Sequence, residues 1–562
     1  MPDKIRVFAL GGLDEEGRDC YVVEINDDIF VLDAGMSLPD KTIPGIDSLL
    51  PNYTYLINNK NRIKAYIITH GHDEVMGALK YFYSKAPAPI YCTESTARFL
   101  TIQARLYSVK VDFKFVVVNP TDQRIIAGRK VNFFQTCHNM SYSFGVAINT
   151  DRGNIVYTSD FIVDYTVKDK AYLFDLKGLA KIEEENETFL LMCESKCANL
   201  DGYCAPHHRI ISKVEKYFSM DKRIFISCFW ENVFRISEII ELAKLHHKKI
   251  FLYDDYTEKV LAHMQEAHII TIDKDILVSN EDFLRVRKSD LVILILGVGD
   301  DIFNEMSNLS MRRNSDKRIT LDKDDVFIVA SIPTETYEVI ATRSIDSLYR
   351  TGADVLWLNR KEVTPMHGRK DDIKFFLSFL RPKYYLPVRG SYTNMIENAK
   401  LALDMGIGLN HLSVFILDNG MQVLFDEKPR PTIIPNEGSD IDIAPILVDG
   451  TGVSTVGAEV IEDRKKLGVD GVVIIASTVS MSKRQIIAGP DCQMRGFVYV
   501  KEAEPLLKSV TQIYNEEVNL ALMEDVPNFD LAELNIKDKA KRFIKRENGR
   551  EPLVIVSIIE VE

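Results

Sequence analysis

The apolar positions of the chain fall into short β-branched runs, each stopped by a polar turn. Residues 6–10, 20–25 and 29–32 are three such runs. The break between the last two, Asn26-Asp27-Asp28, predicts a hairpin. The run at 65–68 leads into Thr69-His70-Gly71-His72-Asp73-Glu74-Val75-Met76-Gly77, after which a helix is predicted from Gly77 to Tyr83. Further strands are predicted at 89–92, 115–118, 130–134 and 155–158. The last two run into Thr136-Cys137-His138 and Ser159-Asp160-Phe161.

This pattern sets a ligand-type residue at one strand end after another: Asp33, His70 with His72, His138 and Asp160. A single residue of this kind is usually a turn or capping group. Four of them in one stretch, all of types that bind zinc, predict a metal site. His70 and His72 lie two apart in extended backbone, so both imidazoles can face one ion. Taken alone, those two histidines also fit a polar turn that only hydrogen-bonds.

Length, charge and cysteine usage narrow the classes. A chain of 562 residues has room for several domains, and 46% hydrophobic with 27% charged residues excludes a disordered or fibrous protein. A net charge of −13 argues against binding a polyanion over the whole surface, so nucleic acid would need a local basic patch or a shielded groove. Two patches qualify: Arg312, Arg313, Lys317 and Arg318, and Lys537, Lys539, Lys541, Arg542, Lys545 and Arg546. Each fits either an RNA contact or a solvated face. The first residues form no apolar signal region and no apolar run is long enough for a bilayer, so no membrane association is expected. Eight irregularly spaced cysteines suit a reducing cytoplasm, the expected location. Cys193, Cys197, Cys204, His207 and His208 form one more candidate zinc group, with buried thiols as the competing reading.

Gly11-Gly12, Glu16-Gly17, Leu32-Asp33-Ala34-Gly35, Thr69-His70-Gly71-His72, His138 and Tyr157-Thr158-Ser159-Asp160-Phe161 resemble the metallo-β-lactamase fold. Within it the chain resembles the ribonuclease J family. Glu194-Ser195 matches that family's acidic residue after the next strand, and residues 223–235 match the first strand and helix of an inserted β-CASP domain. His367-Gly368 with Asp371-Asp372 resembles the return to the first domain. The tail is similar as well: Val448-Asp449-Gly450-Thr451-Gly452-Val453, Val456-Gly457, Asp463-Arg464, Asp470-Gly471, Gly489-Pro490-Asp491 and Arg495-Gly496-Phe497-Val498-Tyr499. The resemblance implies an α/β protein: an αββα sandwich at 1–205 and 355–427, a β-CASP insertion at 206–354, a linker at 428–443 and a C-terminal α/β assembly domain at 444–562. Pro429, Pro431, Pro435 and Gly438 punctuate that linker.

The resemblance also implies 5′-3′ exo- and endoribonuclease chemistry in RNA decay and maturation, with two metal ions at the site. The first ion would use His70, His72 and His138, with Asp160 bridging, and all four are present. The second would use positions 74, 75 and 389, where this chain has Glu74, Val75 and Arg389. Valine cannot ligate, and a guanidinium stays charged and repels a dication. Arg389 is therefore expected to replace the second metal among Glu74 and Asp160. One zinc or manganese ion at the first position and a metal-free histidine trio both stay open.

The RNA-end pocket departs from the family too. Asn232 and Arg235 persist, but Glu231 stands where a serine is expected, and a carboxylate there repels a 5′ phosphate. His367 is kept, either as a catalytic acid or as a core histidine. The expected function is a weak or silent ribonuclease J paralogue that contacts RNA and assembles with itself or with an active paralogue through the C-terminal domain. A slow one-metal RNA hydrolase and a non-catalytic RNA-binding scaffold are the alternatives. Changing Glu74→Asp, Val75→His and Arg389→His together is expected to restore metal-dependent cleavage.

Overall fold

Strand alternation sorts the side chains between layers. In strand Ile63–Ile67, Ala65 and Ile67 face an inner core, whereas Tyr66 turns outward onto Phe82. In strand Arg129–Gln135, Val131 and Phe133 face the same inner core and Phe134 turns outward onto Phe376 of helix Lys370–Leu380. Inward positions of two sheets thus meet, and helices cover the outer faces, which gives the αββα sandwich.

The structure is a computed structural model that describes residues 2–39, 43–450, 452–453, 458–496 and 503–562. Thr451, Val456-Gly457 and Phe497-Val498-Tyr499 of the C-terminal motifs lie outside the described residues. The chain divides into two units, Met1–Ser37 with Leu49–Ile446, and Leu38–Ser48 with Leu447–Glu562.

The first unit holds the sandwich, of one eight-stranded and one six-stranded sheet, and a five-stranded insertion. The insertion sheet is parallel throughout, in the order Lys249–Leu252, Leu291–Gly297, Ile224–Phe229, Val326–Val329 and Asp354–Trp357. Its last strand runs to Trp357, three residues past the expected boundary. Residues 428–443, expected as a linker, include strand Thr432–Ile434 on the edge of the eight-stranded sheet. Three prolines mask that strand in a composition-based reading, because proline is tolerated beside an edge strand.

The second unit has a three-stranded sheet, in the order Gln485–Arg495, Val472–Ser480, Leu553–Val561. Helices Ala503–Met523 and Phe529–Asn548 pack on one face through Val473, Ile475, Val554 and Val556 against Tyr514, Ile536 and Ile544. The opposite face carries Ile474, Ile487, Ile555 and Ile559, each between 44% and 52% exposed.

Sheet topology brings the site residues to one edge. Strands Asp28–Leu32 and Ile63–Ile67 are parallel neighbours, so Asp33 emerges beside the His70 turn. Strands Gly153–Tyr157, Thr188–Glu194 and Tyr384–Val388 are also adjacent and parallel, and they deliver Asp160, Glu194 and Arg389 side by side. Three of these strand ends bend through a left-handed residue, Asp33 (φ 61°), Ser159 (φ 56°) and Arg389 (φ 60°). Such non-glycine positions cost about 1–3 kcal/mol each, and surrounding contacts must hold them.

The turn after His72 is helical from Asp73–Met76, with a second turn at Leu79–Phe82. The predicted start at Gly77 is therefore four residues late. Asp73 and Glu74 occupy the first turn, where carboxylates favour the positive end of the helix. This turn is zipped to the 33–36 segment: Ala34 N–H donates to Val75 O at 2.7 Å and Met36 N–H to Asp73 O at 2.9 Å. A Cβ on Gly35 would stand 1.6 Å from Glu74 O, so only glycine allows this approach. Gly35→Ala should destabilise the chain by about 1–3 kcal/mol, read as a lower urea midpoint, because an added methyl here must displace backbone.

Candidate metal centre

The three histidines present their inner nitrogens to one point. His70 Nε2 lies 3.0 Å from His72 Nδ1, and His138 Nε2 lies 3.4 Å from the same atom. Asp160 Oδ2 is 3.5 Å from both His70 Nε2 and His138 Nε2. All four side chains are buried.

Their outer nitrogens fix the tautomers. His138 Nδ1–H donates to Met366 O at 2.8 Å and His72 Nε2–H to Glu231 O at 3.1 Å, since a carbonyl can only accept. His70 Nδ1 faces Thr69 Oγ1 at 3.2 Å, whose own proton goes to Asp33 Oδ1 at 2.9 Å. Each imidazole therefore turns a bare lone pair inward. Burial, foremost, holds all three below the usual histidine range, so they stay neutral. Three imidazole lone pairs converge beside Asp160 with no proton among them, and repel one another until a cation joins them. The donor set and the fixed outer protons fit a single zinc-type ion.

The second position is different. Arg389 is fully buried, and its Nη2 stands 2.7 Å from Asp19 Oδ2, 2.9 Å from Asp160 Oδ2 and 3.4 Å from Glu74 Oε1. Its Nη1 is 3.7 Å from Asp33 Oδ2 and donates to Tyr157 Oη at 3.3 Å. Lys196 Nζ donates to Glu74 Oε1 at 2.5 Å. Val75 is buried and offers no ligand atom. These residues do not fit a second ion, because the carboxylates it would need already face protein cations.

Burial works against charge on Glu74, yet Lys196 and Arg389 bring its carboxyl down to about 2. At Asp160 burial is likewise overcome, by Arg389 first and then Lys196, so the group stays ionised. Asp19 and Asp33 go the other way: burial outweighs Arg389 and lifts them to about 8 and about 6. Sequence reasoning found Asp33 but missed Asp19 and Lys196. A carboxylate just before strand Cys20–Ile25, and a lysine two positions past Glu194, were the available signals.

Glu194 accepts from Phe161 N–H and Gly368 N–H, each at 2.9 Å, and from His367 Nδ1–H at 2.9 Å. His367 Nδ1 also lies 3.4 Å from Asp160 Oδ1. Burial and Lys196 disfavour its charge, but Glu194 and Asp160 prevail and raise it to about 9, so His367 is an imidazolium at neutral pH.

The RNA-end residues are brought to the same edge. Trp230 packs edge-on against Phe99 at 5.6 Å, and Glu231 touches His72 through its carbonyl. Burial, then the charges of Asp73 and Glu74, push the Glu231 carboxyl up to about 8. Asn232 caps the following helix by accepting from Arg235 N–H, and buried Arg235 Nη1 donates to Ala330 O at 2.7 Å, so both have structural partners.

The cysteine group is not assembled. Among the described residues, Cys193, Cys197, Cys204, His207 and His208 do not converge as metal ligands, and Cys204 Sγ donates to Pro365 O. His208 instead faces Asp164 at 3.4 Å. The basic C-terminal cluster lies on helix Phe529–Asn548, where Lys537, Lys539, Arg542, Lys545 and Arg546 pair with Glu533, Glu517, Asp538, Glu551 and Glu547. In the other cluster Arg318 pairs with Asp316 at 2.6 Å.

Three family descriptions match the chain: metallo-beta-lactamase superfamily at residues 13–212, ribonuclease J beta-CASP domain at 221–348 and ribonuclease J C-terminal domain at 459–561. A Staphylococcus epidermidis protein named Ribonuclease J 2 is 30% identical over 558 residues, covering 99% of this chain and 98% of that one. The protein of the same name from Staphylococcus aureus is 29% identical over the same span. A solved structure from Enterococcus faecalis, described as a protein of unknown function, aligns with a TM-score of 0.50 at 13% identity. It covers 75% of this chain and all of that one, which bears on fold alone.

Two outcomes follow from the buried charges. Arg389→Met should cost about 3–5 kcal/mol, read from denaturant unfolding, because it strips the counter-charge from buried carboxylates. His367, raised above its unfolded value, should add stability that is complete below about pH 6.5 and lost as pH rises through about 9. His367→Gln should flatten that alkaline limb of the pH–stability curve.

Proposed function

This chain belongs to the ribonuclease J family, and from that premise we propose that it is a paralogue with weak or absent hydrolysis that acts in RNA decay and maturation beside an active copy. The observation that carries this reading is the Arg389 guanidinium, 2.9 Å from Asp160 and 3.4 Å from Glu74, where the family uses a second ion. Two-metal phosphodiester hydrolysis uses one ion to generate the nucleophile and another to hold the phosphate and the leaving oxygen. Here His70, His72, His138 and Asp160 would hold one ion, which when bound supplies Lewis acidity.

The chain's own residues then have limited reach. Glu194 orients His367 through Nδ1, and the imidazolium carries a proton that a general acid could deliver to a leaving oxygen. Arg389 and Lys196 face carboxylates, so their charge does not reach a scissile phosphate undiminished. Glu231, mostly protonated at neutral pH, offers a 5′ phosphate no positive charge at the strand end that would receive it.

Assembly is the second half of the proposal. The exposed Ile474, Ile487, Ile555 and Ile559 of the C-terminal sheet support it as the face through which the chain pairs with itself or with an active paralogue. The intact first metal position favours a second reading, a slow one-metal RNA hydrolase.

Metal analysis of the purified full chain should find no more than one ion per chain, and two would end the first reading. Losing the second ion should slow cleavage of 5′-monophosphorylated RNA by at least about 100-fold relative to a two-metal relative. An affinity-tagged chain should co-purify a ribonuclease J with complete metal motifs. Recovery alone, with measurable one-metal turnover, would favour the second reading.

A further inference from the structure

We infer that Lys196 and Arg389 together stand in for the second dication, one positive charge each, so that the pocket is built to hold a single ion. This rests on the family reading above and extends it to a residue that the metal-ligand pattern does not contain.

The two cations lie on adjacent strand ends. Lys196 follows strand Thr188–Glu194 and Arg389 follows strand Tyr384–Val388, which run parallel with Glu194 opposite Val388. Ser195 N–H donates to Arg389 O at 3.1 Å and ties the two ends together. Gly390, at φ 110°, lets the backbone of Lys196 come close: a Cβ there would stand 3.3 Å from Lys196 Cα. Asn394 Nδ2–H donates to Lys196 O at 2.9 Å and fixes the turn from the other side.

Charge accounting gives the pair its meaning. Glu74 Oε1 takes Lys196 Nζ at 2.5 Å and faces Arg389 Nη2 at 3.4 Å, while Asp160 Oδ2 faces Arg389 Nη2 at 2.9 Å. The two carboxylates that a second ion would share thus face two monocations, the charge a dication would bring, while Asp19 and Asp33 face Arg389 as well, at 2.7 and 3.7 Å. One guanidinium alone would leave these carboxylates short of positive charge where Asp160 and Arg389 are fully buried, the Lys196 side chain is 12% exposed and that of Glu74 is 32% exposed. An uncompensated charge of that kind is strongly destabilising.

The consequence is specific. Glu74→Asp, Val75→His and Arg389→His together restore the ligand types of a second ion but leave an ammonium among them. That triple variant should still hold no more than one ion, contrary to the expectation from sequence. Adding Lys196→Ala should permit two.

The experiment uses the full chain, loaded with Mn²⁺, desalted, and read by elemental analysis and by electron paramagnetic resonance for a spin-coupled manganese pair. Native chain and triple variant should give at most one ion without the coupled signal, and the quadruple variant two ions with it. A triple variant that already takes two ions overturns the role of Lys196 and leaves the family reading intact. A native chain with two ions overturns both. A folded quadruple variant that stays at one ion also overturns the inference. Should the quadruple variant not fold, a double-mutant cycle decides. Lys196→Met should lower the unfolding midpoint and Glu74→Gln should restore part of the loss, and an absence of coupling rejects the pair.

Discussion

A guanidinium buried among carboxylates is the constraint on which the strand-end edge depends. Asp19, Asp33, Glu74 and Asp160 come from four separate segments, and Arg389 is within reach of all of them. Without a cation Asp19, Asp33 and Asp160 could not share a dry pocket as anions, because burial alone drives each toward its neutral form, and Glu74 stands at the rim, 32% exposed. The left-handed turns at Asp33 and Arg389 lie inside this network, and Ser159 is held beside it by its hydroxyl, which donates to Thr69 Oγ1 at 2.7 Å. The electrostatics of the pocket thus hold the strand ends of a metallo-β-lactamase edge together.

Much of this was legible in the sequence. Alternating runs gave the strands, and ligand-type residues at their ends gave the histidine trio, Asp160 and Asp33. The replacements at 75 and 389 were plain from residue chemistry, since neither valine nor arginine can ligate. Asp19 and Lys196 were hidden because single charged residues beside a strand carry no periodicity, and their meaning arises only when topology sets them beside Arg389. The helical start at Asp73 was missed because glycine at 77 looks like a boundary while a first-turn acidic pair does not. The strand at Thr432–Ile434 was hidden by its flanking prolines, and the pairing of the basic cluster at 537–546 was hidden because its carboxylates are neighbours only on a folded helix or across a helix pair.

The strand-end edge and the C-terminal unit satisfy their side chains in opposite ways. At the strand-end edge, cations pair with carboxylates, so their charge is met within the protein. In the C-terminal unit the helices cover one sheet face and leave the other apolar and exposed.

The hydrogen bond from His72 to the Glu231 carbonyl has a wider consequence. The acceptor that holds this imidazole's lone pair toward its neighbours belongs to the inserted body, at the end of strand Ile224–Phe229. Ion affinity and the seating of that body are therefore linked quantities, each biasing the other by the same free energy. A shift that lifted Trp230 from Phe99 would carry the neighbouring carbonyl away and leave the imidazole free to flip.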